Sequence, residues 1–352
     1  MQIITDIDNY KPVPCAATIG SFDGVHLGHR AMLAELRSAA QAQGLPLMAV
    51  TFATHPRLLF GNASAPFLLT PGDERLALLQ SAGVDICVLL NFDSSMAALS
   101  AASFMENVLA KRLGVKLLAV GYDHHFGKPV QGEGLEQYIA YGRSVGIDVV
   151  GTAPFFRDGI TVSSSAVRRA LARGDVQQAS SMLGYNYSIE GVVEHGAAIG
   201  RTWGFPTANI RPTHSLKMLP ADGVYEVAVE LDGSSYKGVM NIGFKPTIAN
   251  GGRRTIEVHI IGFQGNLYGK EIAPRLVRHL RGEMIFENVD ALRRRIEADV
   301  ARVMGLRSMW AMAFRTLMPS CLLSIRSSTR TSGFFSRICR IASSPSLTVP
   351  RT

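Results

Sequence analysis

A parallel α/β sheet followed by a smaller β-barrel is the architecture this sequence predicts, and three observations carry it. From Ala16 to about Gly151, short apolar runs alternate with amphipathic stretches, as repeated βαβ units require. Beyond Tyr187 the runs become strand-like, rich in Val, Ile and Tyr and separated by Gly, Asn and Asp. Among them EVAVEL and SYKGVMNI flank Asp232-Gly233, a hairpin signal because two residues of that type accept the positive φ of a tight turn.

The elements follow in order. AATIG (16–20) reads as a buried strand, HRAMLAELRSAAQAQG (29–44) as an amphipathic helix ending on Gly44, and LPLMAVTF (45–52) as the next strand. Pro71 with Asp73 and Glu74 opens a second helix; DICVLLNF (85–92) is a strand, FMENVLAKRLGV (104–115) a helix ended by Gly114, and KLLAVGY (116–122) a strand. In such sheets ligands bind at the carboxyl ends of the strands. In the second half YSIEGVVEHG (187–196), the hairpin around 232–233 and TIEVHIIGF (255–263) supply the strands, and one late helix from about Val289 to Met304 caps a small barrel. The expected division is 1–184, 185–304 and an atypical tail, 305–352.

Composition bounds the rest. At 352 residues, 47% hydrophobic and 18% charged, the chain is long enough for two domains and too apolar to be disordered. It has no uninterrupted apolar run of membrane-spanning length, and MQIITDIDNYKPVP lacks the basic-then-apolar layout of an export signal, so a cytoplasmic protein is expected. The net charge of +8 would suggest nucleic acid or anionic membrane, but 1–304 carry 29 basic and 28 acidic residues, whereas 305–352 carry seven Arg and no acid. The body is nearly neutral, and neither nucleic acid nor membrane is expected as a partner. The tail reads as a poorly ordered basic extension or an out-of-frame read-through, and no function is assigned to it. Cys15, Cys87, Cys321 and Cys339 are far apart and form no CxxC pair, which points away from a zinc site or a disulfide framework.

The densest chemistry is Thr18-Ile-Gly-Ser-Phe-Asp-Gly-Val-His-Leu-Gly-His29, where a strand ends and a helix begins. Gly20, Gly24 and Gly28 let backbone approach a ligand, and the helix N-terminus offers N–H groups and a positive dipole to phosphate. His26 and His29, three apart on the first turn, can donate to phosphate oxygens as charge builds during displacement at phosphorus. The loop is neither GxGxxG nor GxxxxGK[ST], which removes the dehydrogenase and Walker ATPase readings. Downstream, His55-Pro56-Arg57 follows a buried strand, and Arg57 offers phosphate a planar fork of donors. Ser163, Ser164 and Ser165 precede a helix containing Arg168, a capping arrangement able to bind triphosphate.

In the β-rich half, HGAAIGRTWGFPTANI (195–210) places Gly200 and Gly204 in a pliable lid, with Thr207 and Asn209 as oxygen ligands suited to Mg²⁺. Glu257 lies in an alternating strand with His259 on the same face. Strand position alone leaves it either an ordinary solvent-facing residue or a base for an attacking alcohol.

GSFDGVHLGH resembles the signature of the HxGH nucleotidyltransferases, and residues 1–304 resemble the bacterial bifunctional riboflavin kinase/FAD synthetases. TFATHPR (51–57), LLTPGDERLALLQSAGVD (68–85), VGYDHHFGK (120–128) and VSSSAVRRAL (162–171) arrive in that family's order, as do GFPTAN (204–209), NIGFKPT (241–247) and LRGEMIF (280–286). The resemblance implies a Rossmann-like nucleotidyltransferase domain and a riboflavin kinase barrel. It implies phosphorylation of riboflavin to FMN by Mg²⁺·ATP, then adenylylation of FMN to FAD with release of pyrophosphate. Gly20, Phe22, Asp23, Gly28, His55, Arg57, Ser163, Ser164 and Arg168 then serve the nucleotide, Asp123 and Phe126 lie near the flavin, Thr207 and Asn209 hold metal and nucleotide, and Glu257 is the catalytic base. His124 and His125 depart from the usual flavin-side loop, and Gly282 replaces the usual proline of LRPExxF. Two alternatives remain open: a chain retaining one of the two activities, or a flavin- or nucleotide-binding regulator. ATP, riboflavin and FMN are the expected partners, and the sequence is compatible with an oligomer.

Overall fold

The computed structural model describes residues 1–58, 66–122, 126–128, 133–196, 204–244 and 254–305. Residues Met1–Met284 form one compact unit, and a second begins at Ile285. Asp123, Gly200, the histidines at 124 and 125, the end of NIGFKPT and the tail from 306 lie outside the described residues.

The first sheet consists of β1 (Gln2–Ile4), β2 (Cys15–Ile19), β3 (Leu47–Phe52), β4 (Ile86–Leu90), β5 (Val115–Val120) and β6 (Asp148–Gly151), all paired in parallel in the order β1-β4-β3-β2-β5-β6. β2 and β3 are buried along their whole length, as strands covered on both faces must be. Ala16 joins one core cluster with Leu33, Leu36 and Leu79, while Ala17 joins the opposite one with Met48, Val50 and Leu118, the two-residue alternation of a strand. α1 (Leu27–Ala42) and α2 (Gly72–Ser81) connect the early strands. Because the chain builds β3 and β4 on one side of β2 and then returns to its other side for β5, the strand order reverses between β2 and β5. A crevice at the carboxyl ends is expected at such a switch point, and the loop 20–26 emerges there.

The stretch expected as one helix over 104–115 is built differently. α3 (Ser94–Ala97) and α4 (Ala101–Phe104) are single turns, and α4 runs into a π-helical turn, Met105–Ala110, whose wider winding buries Met105, Val108 and Leu109 together. α5 (Leu135–Val145) precedes β6. A two-stranded hairpin, β7 (Phe156–Arg157) with β8 (Ile160–Thr161), turns through Asp158 and Gly159, and α6 (Ser164–Ala172) and α7 (Val176–Leu183) complete this half.

The second sheet has β9 (Gly191–Glu194), β10 (Ala208–Pro212), β11 (Gly223–Leu231), β12 (Ser234–Phe244), β13 (Arg254–Ile260), β14 (Glu271–Ile272) and β15 (Arg275–Arg281), antiparallel in the order β14-β9-β10-β13-β12-β11-β15. Its ends meet: Leu276 N–H donates to Tyr187 O at 2.8 Å and Ile189 N–H to Pro274 O at 3.1 Å, so the residues leading into β9 join β15 and the sheet curls into a barrel. Val193, Ile210, Val227, Met240, Ile242, Ile256, Val258 and Leu276 belong to the apolar core cluster on its inside. The β11–β12 hairpin turns through Asp232 (φ 50°) and Gly233 (φ 77°), the two left-handed residues of the tight turn its sequence demands.

In the second unit, α8 (Val289–Val303) starts at Asn288, whose side chain accepts the Ala291 N–H at 2.9 Å. Arg293–Glu297 and Arg295–Asp299 pair one turn apart along it.

Candidate functional site

The signature loop leaves β2 at Gly20 and delivers His26 as the N-cap of α1. His26 is 6% exposed, and its Nδ1 accepts the backbone N–H of His29 at 3.3 Å. The two imidazoles stack at 3.7 Å between centroids with 15° between their planes. Burial pushes the His26 imidazole down to about 4, against the opposing pull of Asp23, so the ring is neutral at physiological pH. Since Nδ1 accepts, the proton sits on Nε2 and that edge is a donor. Phe22 meets His29 edge-on at 5.2 Å and is itself buried, so it braces the histidine and presents little surface to a ligand.

Asp23 is turned inward. Its carboxylate accepts from Leu69 N–H at 2.9 Å and Thr70 N–H at 2.9 Å and ion-pairs with Arg168, whose Nε also donates to Phe67 O at 2.9 Å. Ser163 caps α6 by accepting the Ala166 N–H at 3.2 Å, and Ser164 Oγ donates to Asp23 O at 2.7 Å. Asp23, Ser164 and Arg168, expected at the nucleotide, thus tie the start of α6 to the signature loop. Gly24 has φ 89° and lies so close to Leu69 that a Cβ would stand 2.9 Å from its Cδ1; its N–H donates to Thr70 Oγ1 at 2.7 Å. Gly28 lies in the first turn of α1 against the His26 ring.

His55 is half-buried, its imidazole pushed down to about 4 by burial, and its Nδ1 accepts the Arg57 N–H at 3.2 Å. Arg57 is exposed on the single turn Pro56–Leu58. Phe126 stacks on Tyr138 at 4.6 Å in the core. Arg75, to which the segment LLTPGDERLALLQSAGVD assigns no role, is buried and donates to Ser21 O at 3.1 Å and Phe52 O at 2.8 Å, clasping the ends of β2 and β3. Only a long-range contact reveals it.

On the barrel, register brings four polar residues into one row. Asn209 on β10 pairs across with Glu194 on β9 and Glu257 on β13, and Glu257 pairs across with Asn241 on β12. Their chain neighbours Val193, Ile210, Val258 and Ile242 point into the core, so the row faces out, where cross-strand side chains lie within reach of each other. Thr207 precedes β10, and His259 Nδ1 lies 2.9 Å from Pro206 O, anchoring the GFPTAN turn to β13. A cavity of about 520 Å³ opens beside Thr207, walled by Val193, Pro206, Val258, Phe263 and Tyr268. Gly196 was not singled out from sequence, yet a Cβ there would stand 2.1 Å from Asn209 Nδ2: the Asn209 amide lies directly over its backbone. Gly204 is exposed with φ 84°.

Thr207 and Asn209 offer neutral oxygens only, a donor set that suits a hard cation retaining waters and bridging phosphates. Among the described residues no group of three or more His, Cys, Asp or Glu converges to hold a metal by itself, and no helix is long and apolar enough to cross a membrane.

The FAD synthetase family profile matches residues 8–166, and the riboflavin kinase profile matches 183–306. The bifunctional riboflavin kinase/FMN adenylyltransferase of Escherichia coli K12 is 41% identical over 305 residues, covering 85% of this chain and 96% of that protein. Its namesake from Pseudomonas fluorescens is 39% identical, covering 87% and 98%. A solved Streptococcus pneumoniae chain, described as a macrolide-efflux protein, superposes with a TM-score of 0.78 at 28% identity over 87% of this chain and 99% of its own. Two family profiles in tandem and relatives matched along nearly their whole length lead to one conclusion: this chain belongs to the bifunctional riboflavin kinase/FMN adenylyltransferase family.

Proposed function

We propose that the family's two reactions, riboflavin to FMN and FMN to FAD, run in this chain at two separate places, the loop 20–29 and the polar row of the barrel. The stacked His26–His29 pair at the head of α1 is the observation that carries the assignment.

FMN brings a phosphate that is already an anionic nucleophile, so adenylylation needs no general base. The requirement is to bind the ATP phosphates in line and stabilise charge as pyrophosphate leaves. The Nε2–H of neutral His26, the His29 ring and the N-terminal N–H groups of α1 supply that stabilisation. His55 and Arg57 at the end of β3 meet the outgoing phosphates. Asp23, Ser164 and Arg168 hold the loop in shape, Ser163 heads α6 beside them, and Phe22 braces His29. The segment that follows β5 in the sequence, with Asp123 and Phe126, serves the flavin side.

Riboflavin phosphorylation needs a base for the ribityl hydroxyl and a place for ATP. Glu257 takes the proton as the hydroxyl oxygen attacks the γ-phosphorus, and the bond to the β,γ-bridging oxygen breaks to release ADP. The cavity beside Thr207 receives the nucleotide, Gly200 and Gly204 belong to the lid over its phosphates, and Thr207 and Asn209 would hold Mg²⁺. When bound, that ion neutralises charge on the transferring phosphoryl group.

Domains of 1–184 and 185–304, cytoplasmic residence, and independence from nucleic acid and membrane complete the reading. Its support is the charge balance of the body and the two successive profile matches. Separate assays of FAD formation from FMN and of FMN formation from riboflavin, on His29→Ala and Glu257→Gln, test it: each variant should lose one activity and keep the other.

A further inference from the structure

We propose that Lys217, carried by the half that matches riboflavin kinase, is a positioning residue for adenylyl transfer in the other half. The proposal rests on the loop 20–29 being the adenylyl-transfer site.

The short segment 68–70 is a strap gripped from both sides. On the barrel side, Leu68 N–H donates to Leu216 O at 2.9 Å and Met218 N–H to Leu68 O at 2.8 Å. Between them Lys217 Nζ donates to Leu69 O at 2.7 Å. On the other side the same strap offers its Leu69 and Thr70 N–H groups to Asp23, and Thr70 Oγ1 accepts from Gly24. The backbone of one residue therefore links the barrel ammonium to the signature loop: Leu69 O to Lys217, Leu69 N–H to Asp23, three residues before His26.

The loop needs such a grip. Phe22 (φ 47°) and Val25 (φ 32°) hold left-handed backbone without being glycine, a conformation that persists only where the surroundings over-determine it. Asp23 sits between them, and its carboxylate is fixed by the strap.

Lys217 is built for one geometry. It is 3% exposed and divides its three N–H donors between Leu69 O and the two Glu74 carboxylate oxygens, at 2.9 and 2.7 Å, with its charge 4.4 Å above the Tyr187 ring. Glu74 in turn lies on α2 beside Arg75, which clasps Ser21 and the end of β3. Burying an ammonium and a carboxylate is a poor route to stability, since an apolar pair of similar volume often does as well. A geometric duty accounts for the pair where a stabilising one does not.

The test uses the full-length chain and assays kcat and KM for FMN→FAD and riboflavin→FMN separately in Lys217→Met, Lys217→Arg and Thr70→Val, with His29→Ala in parallel. For Lys217→Met and Thr70→Val the expected result is a fall on the order of 10- to 100-fold in kcat for FAD formation, the scale of a misplaced catalytic group. Riboflavin phosphorylation stays within about twofold, and Lys217→Arg, which keeps donors and charge, recovers part of the loss. An unchanged kcat for FAD formation in Lys217→Met overturns the proposal, as does a parallel decline of both activities that tracks the loss of Tm. If Lys217→Met does not fold, Thr70→Val decides, since it loosens the strap from the loop side: selective loss supports the proposal and wild-type FAD formation overturns it. FAD formation surviving in His29→Ala would instead sink the site assignment, whatever Lys217 does.

Discussion

His26 and His29 stack with 3.7 Å between ring centroids because the Nδ1 of the first accepts the backbone N–H of the second. One hydrogen bond thus caps α1, sets the tautomer of His26 and orients its ring against that of His29. Replacing His29 with alanine removes the ring proposed to serve the phosphates while the backbone N–H that fixes His26 survives. FAD formation from FMN should fall by about 10²–10³ in kcat, the cost of losing one transition-state donor, with riboflavin phosphorylation unchanged. Paired kinetic assays check it.

Burial holds His26 at about 4, below the 6.5 of an exposed imidazole. The unfolded chain therefore binds a proton between those values that the folded chain refuses. The stabilising contribution is complete above about pH 6.5 and is lost as pH falls toward 4, by about 3 kcal/mol at the limit. Urea midpoints of wild type and His26→Gln from pH 4 to 8 should converge as the pH falls, because the glutamine variant lacks this term; parallel curves would exclude His26 as its source.

Glu257→Gln keeps the shape of the outward row and removes the carboxylate proposed as the base. Riboflavin phosphorylation should fall by about 10²–10⁴, while FAD formation from supplied FMN persists. Loss of both activities would mean that the two sites are not separate.

Gly196→Ala should be selective in the same direction. The added methyl occupies the position of the Asn209 amide, so the side chain must swing away from the row. Phosphorylation should drop by about tenfold or more through a weaker apparent affinity for Mg²⁺·ATP, since a displaced ligand costs that much. A Mg²⁺ titration of initial rates reads this directly, and wild-type titration behaviour would contradict it.

Much of this was legible in the sequence because it is local. The βαβ alternation, the Asp232-Gly233 turn, the Pro71 helix start and the HxGH loop at a strand-to-helix junction are all set by neighbours within a few residues. What escaped depends on contacts across the chain. Asp23 and Arg168 are both expected at the nucleotide, but their mutual ion pair, 145 positions apart, is spelled out by neither motif. Lys217 sits in a stretch with no motif, Arg75 sits in LLTPGDERLALLQSAGVD without a role that the motif assigns, and the partners of both lie in other elements. Phe126 sits in a motif expected near the flavin, and the motif does not show that its ring packs on Tyr138. The hairpin at 156–161 has strands of two residues each, too short for periodicity to register, and the π-turn at 105–110 keeps an apolar spacing that a plain helix would also produce.

The most direct test is to incubate the purified chain with riboflavin, ATP and Mg²⁺ and resolve riboflavin, FMN and FAD by chromatography, beside a reaction started from FMN. Two working sites predict FAD in both reactions, with FMN appearing first in the one started from riboflavin. Conversion of FMN to FAD with riboflavin left untouched would contradict the role given to the barrel, and FMN accumulating without FAD would contradict the role given to His26 and His29.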